Sequence, residues 1–162
     1  MRSVNDTEKI EIEPLDERYL DEVVAIEKTS FPEPWSRLLF VQEIDHPASV
    51  FVVMVRDGRV VGYGGYWRVL DEMHITNVAI ASRERRRGYA TRLLEWLIES
   101  ARCQGATRAT LEVRESNTAA INLYTKFGFK SVAIRRNYYA STGEHAVIMW
   151  KTDIGEPNKP RE

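Results

Sequence analysis

The sequence predicts one α/β (α+β) domain, built as a largely antiparallel sheet with helices on its faces. Three observations predict it. A tight-turn signal, Asp57-Gly58, separates two β-rich runs; the apolar period changes from alternating to helical at Ala90; and strand-then-helix order repeats after Thr110.

With 162 residues and 43% hydrophobic content, the chain suffices for one ordinary core and is too short for two full domains. The polar segments 1–9 and 153–162 are predicted to be flexible tails around a single domain of residues 10–152. Tyr19, Leu20, Val23, Val24 and Glu27 recur at helical spacing and predict a first amphipathic helix. Pro32 and Pro34 interrupt it, leaving an aromatic-tipped loop from Phe31 to Trp35, after which Ser36 can cap a short helix bearing Leu39, Phe40 and Ile44. Val50 to Val55 and Val60 to Trp67 form the hairpin about Asp57-Gly58, and a strand from about Met73 to Ala81 extends the meander.

Leu93, Leu94, Leu97, Ile98 and Ala101 then form the clearest helical stripe, which Gly105 stops. Thr110 to Val113 reads as a strand. Asn117 can cap the next helix, which carries Ala120, Ile121, Tyr124 and Phe127 and ends at Gly128. Val132 to Arg135 and Ala146 to Lys151 read as two further strands, with Asn137-Tyr138-Tyr139 in the loop between them.

Composition excludes several function classes. Lys plus Arg number 23 against 24 Asp plus Glu, so no global field marks a nucleic-acid binder. The one cysteine, Cys103, has no partner for an internal disulfide, and with three scattered histidines it offers no zinc spacing, so no metal is predicted. Neither a signal peptide nor a membrane-length apolar run is present, and the expected location is the cytoplasm, with no membrane partner.

The segment from Asn77 to Leu94 carries the ligand argument. Arg85-Arg86-Arg87-Gly88-Tyr89-Ala90 lies between a strand and the best helix, where unpaired amides and the helix dipole favour an anion. Gly88 lets the backbone turn and approach a ligand, and small Ala90 does not obstruct it. A pyrophosphate suits this chemistry. The segment has neither Gly-Lys-Ser/Thr nor the three glycines of a dinucleotide fingerprint. Charge alone is equally compatible with a solvated helix start.

In order, Asn77-Val78-Ala79-Ile80, the Arg/Gln-x-x-Gly-x-Gly/Ala pattern at Arg85 to Ala90, and Leu93-Leu94 resemble the cofactor motif of the GNAT N-acetyltransferase superfamily. Leu111 to Asn117 and Ala120 to Phe129 resemble its next strand and helix. More narrowly, Phe31-Pro32-Glu33-Pro34-Trp35-Ser36 and Ile134-Arg135-Arg136-Asn137-Tyr138-Tyr139 are similar to RimI-type enzymes, which acetylate the N-terminal amine of a ribosomal protein. The similarity spans roughly residues 10–151, with two departures: Pro34 is inserted relative to the usual Phe-Pro-Trp, and Ala90 replaces the second glycine.

The resemblance implies a twisted sheet of about six to seven strands, about four helices and central strands splayed at the coenzyme. It implies acetyl-CoA as acyl donor. Backbone groups of Val78, Ala79 and Ile80 would pair with pantetheine, the Arg85-Arg86-Arg87-Gly88-Tyr89-Ala90-Thr91 loop would hold the pyrophosphate, and Asn117 would also touch the coenzyme. It further implies Glu112 as base and Tyr124 as acid in a direct ternary-complex transfer. Phe31, Trp35, Tyr138 and Tyr139 would flank a groove for a protein N-terminus such as that of an alanine-starting ribosomal protein. Without the resemblance, Asn117 is sufficiently explained as a cap, Glu112 as an outward strand residue and Tyr124 as a core aromatic.

A partly buried Glu112 would gain basicity, and an N-terminal α-amine of ordinary pKa about 7.7 to 8.0 is already partly neutral at physiological pH. Tyr124 would protonate the departing thiolate, a transfer uphill by about 2 kcal/mol on reference values and easier if the site lowers the phenol. Transfer to lysine or a small amine, or non-catalytic acyl-CoA binding, are the competing readings.

Overall fold

The computed structural model describes residues 9–155. Seven strands form one sheet in the order β1-β2-β3-β4-β5-β7-β6. They are β1 (Ile10–Pro14), β2 (Ser49–Arg56), β3 (Arg59–Val69), β4 (Glu72–Ile80), β5 (Arg108–Arg114), β6 (Lys130–Tyr139) and β7 (Glu144–Lys151). Four helices, α1 (Leu20–Ser30), α2 (Arg37–Asp45), α3 (Tyr89–Cys103) and α4 (Thr118–Lys126), cover its faces. Only β4 and β5 pair in parallel; every other ladder is antiparallel. The predicted class therefore holds. None of the helices among the described residues is long and apolar enough to cross a membrane.

Local chemistry sets most element ends. Ser36 Oγ accepts the Leu39 N–H at 3.3 Å, and Asn117 Oδ1 accepts the Ala120 N–H at 3.2 Å, capping α2 and α4 as predicted. The stripe Leu93, Leu94, Leu97, Ile98 and Ala101 is wholly buried. It joins α3, and with it α4, to Met73, Ile75, Leu111 and Met149 of the sheet. On the opposite face, α1 and α2 pack Val23, Ile26 and Phe40 against Phe51, Val53 and Tyr63. Phe40 stands edge-on to both Phe51 and Tyr63, and Trp35 rests on Phe40 and Phe51. The aromatic loop after α1 is thus anchored in this second core.

Three segments differ from expectation. Ile10-Glu11-Ile12-Glu13 alternates at period two and adds an unforeseen edge strand, β1, antiparallel to β2. Asn137-Tyr138-Tyr139 does not form a loop: β6 runs through it as a bulge, in which Asn137 takes φ 52° and its N–H donates to His145 Nδ1 at 2.9 Å. The predicted tail does not begin at residue 153, because Ile154 is buried in the α3 core and its N–H donates to Thr107 O at 3.0 Å. The remainder of both predicted tails, residues 1–8 and 156–162, lies outside the described residues.

Candidate functional site

The β4–β5 ladder covers only residues 72–75 of β4, ending where Ile75 meets Leu111. Beyond it the strands separate. The cause is a bulge against β3: Gly65 pairs with Asn77 and Tyr66 with Ile75, so Thr76 is an extra residue that bends β4 away from β5. From Asn77 to Ile80, β4 pairs only with β3, and alternate peptide groups face the gap without a strand partner. This is the splay expected at the coenzyme.

The gap opens into a cleft of about 950 Å³. Of the predicted site residues, it brings together Val78, Glu112, Asn117, Tyr124, Phe31, Trp35, Tyr138 and Tyr139. Ala79, Ile80 and residues 85–91 do not line it. They belong to the end of β4 and the turn into α3. In that turn Arg86 (φ 68°) and Gly88 (φ 79°) both have positive φ, separated by Arg87, and Gly88 is the left-handed N-cap of α3, whose first amides lack helical acceptors.

The basic side chains of the turn are largely occupied. Arg85 Nε donates to Ile80 O at 3.3 Å, Arg87 Nη1 lies 3.5 Å from Glu84 Oε2, and Tyr89 Oη receives a bond from Arg56 Nη1 at 3.0 Å. All three arginines of the turn are nonetheless exposed, so it presents guanidinium groups as well as backbone amides. Those amides and the unpaired β4 edge match what a pyrophosphate and an amide-containing arm require.

Glu112 projects from β5 with its side chain partly buried, 35% exposed. Its flanking residues Leu111 and Val113 turn into the α3 core, so Glu112 faces the cleft on the α1–α2 side. Arg135 Nη1 lies 3.6 Å from its Oε1. The Glu112 carboxylate beside Tyr138 holds that phenol above its ordinary value.

Tyr124 comes from α4 and is buried at the wall of the cleft, edge-on to Phe129. Burial alone pushes its phenol well above the ordinary value, opposite to the lowering that would ease proton donation. Asn117 caps α4 and lines the cleft. His145 is engaged by Asn137, and His74 Nε2 lies 2.8 Å from Glu72 Oε2. Cys103 is exposed at the end of α3, away from the cleft lining.

Sequence reasoning missed Glu27, Glu33, Arg114, Arg135, Ile148 and Trp150, all of which line the cleft. Glu27 carried a signal: it continues the apolar stripe of α1, where a carboxylate needs an internal partner. It has three. Its carboxylate accepts from the Tyr63 hydroxyl, from Trp35 N at 3.1 Å and from Asn77 Nδ2 at 3.4 Å. Glu27 thereby ties the aromatic loop to the part of β4 that diverges from β5.

Burial, the largest influence on Glu27, raises its carboxyl pKa despite these donors. The folded chain then holds this proton more tightly than the unfolded chain. The stability contributed through Glu27 is fully present below its ordinary value of 4.5 and is lost as pH rises through the raised one. Glu27→Gln removes that titration, so its Tm is expected to fall less than the wild-type Tm between acidic and neutral pH. Parallel Tm–pH curves for the two proteins would refute the assignment.

Comparison with known proteins adds the following. Residues 20–129 match the Acetyltransferase (GNAT) family. A Bacillus subtilis relative, named provisionally as a ribosomal protein bS18-alanine N-acetyltransferase, is 40% identical over 134 residues, covering 82% of this chain and 89% of its own. An N-alpha-acetyltransferase of Sulfurisphaera tokodaii is 34% identical over 143 residues, covering 80% and 85%. The crystal structure of the Escherichia coli ribosomal-protein-S18-alanine N-acetyltransferase superimposes with a TM-score of 0.81 at 31% identity, covering 94% of this chain and 100% of that one.

Proposed function

The chain belongs to the acetyltransferase (GNAT) family, whose acyl donor is acetyl-CoA, and from that premise we propose that it acetylates the N-terminal α-amine of a protein. A ribosomal protein beginning with alanine is the acceptor suggested by its relatives' names. The observation that carries the reading is the meeting of Glu112 from β5 and Tyr124 from α4 in one cleft, walled by Phe31, Trp35, Tyr138 and Tyr139. Transfer from a bound coenzyme to a bound amine needs a proton acceptor and a proton donor, and the cleft offers one of each.

When bound, the coenzyme supplies an activated acyl thioester. The free edge of β4 at Val78, Ala79 and Ile80 is suited to its amide-containing arm, and the amides of residues 86–91 to its pyrophosphate. Asn117 stands at the cleft wall between these elements and α4.

Glu112 takes the proton from the amine, directly or through water. Arg135, with Nη1 3.6 Å from Glu112 Oε1, helps to orient the carboxylate. Tyr124 Oη, which makes no hydrogen bond among the described residues, stays protonated and holds its proton for the departing sulfur. Burial raises the phenol above its ordinary value, so it stays protonated until the thiolate forms, and it yields its proton less readily than a free phenol.

The acceptor class is tested by acetyl-CoA turnover on three acceptors. Peptides beginning with alanine are expected to be used in preference to N-blocked lysine peptides and free small amines. Preference for either of the latter would overturn the reading.

A further inference from the structure

The two loops that flank the acceptor side of the cleft are joined by a bond across 108 residues of chain. Ser141, in the turn between β6 and β7, donates its N–H to Glu33 Oε1 at 2.6 Å. The other carboxylate oxygen of Glu33 lies 3.8 Å from Arg114 Nη2. Arg114 is itself held from three sides: Nη1 donates to Thr142 Oγ1 at 3.0 Å and meets Glu144 Oε2 at 3.2 Å, while the guanidinium stacks 3.8 Å from the Tyr139 ring centre. Glu144 in turn accepts the Ser116 N–H at 3.0 Å. A buried arginine at the end of β5 thus organises the turn, and Glu33 fastens the opposite loop to it.

The segment that presents Glu33 is stiff. Pro32 fixes the backbone before it, and Pro34 confines Glu33 itself to extended conformations. Little freedom remains to be lost when the carboxylate is held in place. The loop is two residues longer than Phe-Pro-Trp, and Glu33 and Pro34 make up that extra length. The contact with Ser141 holds the Glu33 carboxyl below its ordinary range, so the bond is made to the ionised side chain at neutral pH.

We propose that Glu33 is a positioning residue that determines acceptor recognition: by fastening the α1–α2 loop to the β6–β7 turn, it sets the width of the groove before an acceptor arrives. Phe31 and Trp35 stand on one side of this bond and Tyr138 and Tyr139 on the other, and all four line the cleft that Glu33 and Arg114 also line. A groove assembled in advance spares the acceptor the cost of ordering both walls. Glu33 touches neither Glu112 nor Tyr124, so its influence falls on acceptor binding and not on the proton transfers.

The inference rests on the proposed acceptor groove and is tested in the full-length protein by steady-state kinetics with acetyl-CoA and an alanine-starting peptide. Glu33→Ala is expected to raise the peptide KM about tenfold, with kcat and the acetyl-CoA KM each held within about twofold. Glu33→Gln keeps an acceptor for the Ser141 N–H and is expected to recover most of the loss. An unchanged or lowered peptide KM in Glu33→Ala overturns the proposal, as does a Glu33→Gln no better than Glu33→Ala. So does a loss that falls equally on peptide KM, coenzyme KM and kcat, the mark of general damage. Failure of the acceptor assignment is distinguishable, because it shows in the wild-type protein as preference for a lysine peptide or a free amine. The Glu33 variants are then compared on that preferred acceptor.

Discussion

Glu112→Gln is expected to lower kcat by roughly a hundredfold to ten-thousandfold, the range associated with a positioned general base. The substitution keeps the size of the side chain and its reach toward Tyr138 and Arg135, and removes only the capacity to accept a proton. Since Glu112 faces the cleft and its neighbours Leu111 and Val113 carry the packing of this part of β5, the fold has little reason to respond. Coenzyme affinity, read by calorimetry, is expected to change by no more than about twofold, because the proposed contacts lie on β4 and in the turn before α3. Tyr124→Phe probes the other proton. It removes one hydroxyl that has no hydrogen-bond partner among the described residues and leaves the ring against Phe129, so a fall in kcat reports chemistry and not packing. Unchanged turnover in both variants would remove the catalytic assignment while leaving family membership untouched.

What the sequence conveyed divides by range of interaction. The α3 stripe, the Ser36 and Asn117 caps and the Asp57-Gly58 turn were legible because each is decided within a few residues. Asn137 was read as a loop residue between two β-rich runs, and its backbone is indeed left-handed. Yet His145 accepts its N–H from the neighbouring strand and lets β6 continue. The period of β5 correctly set Glu112 opposite Leu111 and Val113, but the open cleft on that side follows from the course of β4. Glu33 lay inside the quoted aromatic motif, and nothing local identifies a partner 108 residues away. The splay itself depends on Thr76, an ordinary strand residue by type, whose role as a bulge exists only in its pairing with β3.

That dependence leads to the second large effect: deleting Thr76 is expected to weaken acetyl-CoA binding at least about a hundredfold while the protein stays folded, the loss being that of a whole run of backbone hydrogen bonds. The reason lies in which way the residues of β4 face. Met73 and Ile75 turn toward the α3 core, as do Val78 and Ile80, while Ala79 faces the α1–α2 core and Asn77 reaches Glu27 on α1. Residues 76 and 77 therefore fall together between Ile75 and Val78, two residues where regular alternation needs one. Removing Thr76 restores the alternation without turning any of these core residues to the wrong face, so cooperative unfolding and Tm are expected to survive. What changes is the strand's path. With the kink gone, β4 can continue beside β5 past the Ile75–Leu111 pair, and its free peptide groups, the proposed partners of the coenzyme arm, are taken up by the sheet. Calorimetry with acetyl-CoA on the folded deletion variant is the decisive measurement. Wild-type affinity in that variant would mean that the coenzyme is held by the turn at residues 85–91 alone, and that the gap between β4 and β5 serves the acceptor only.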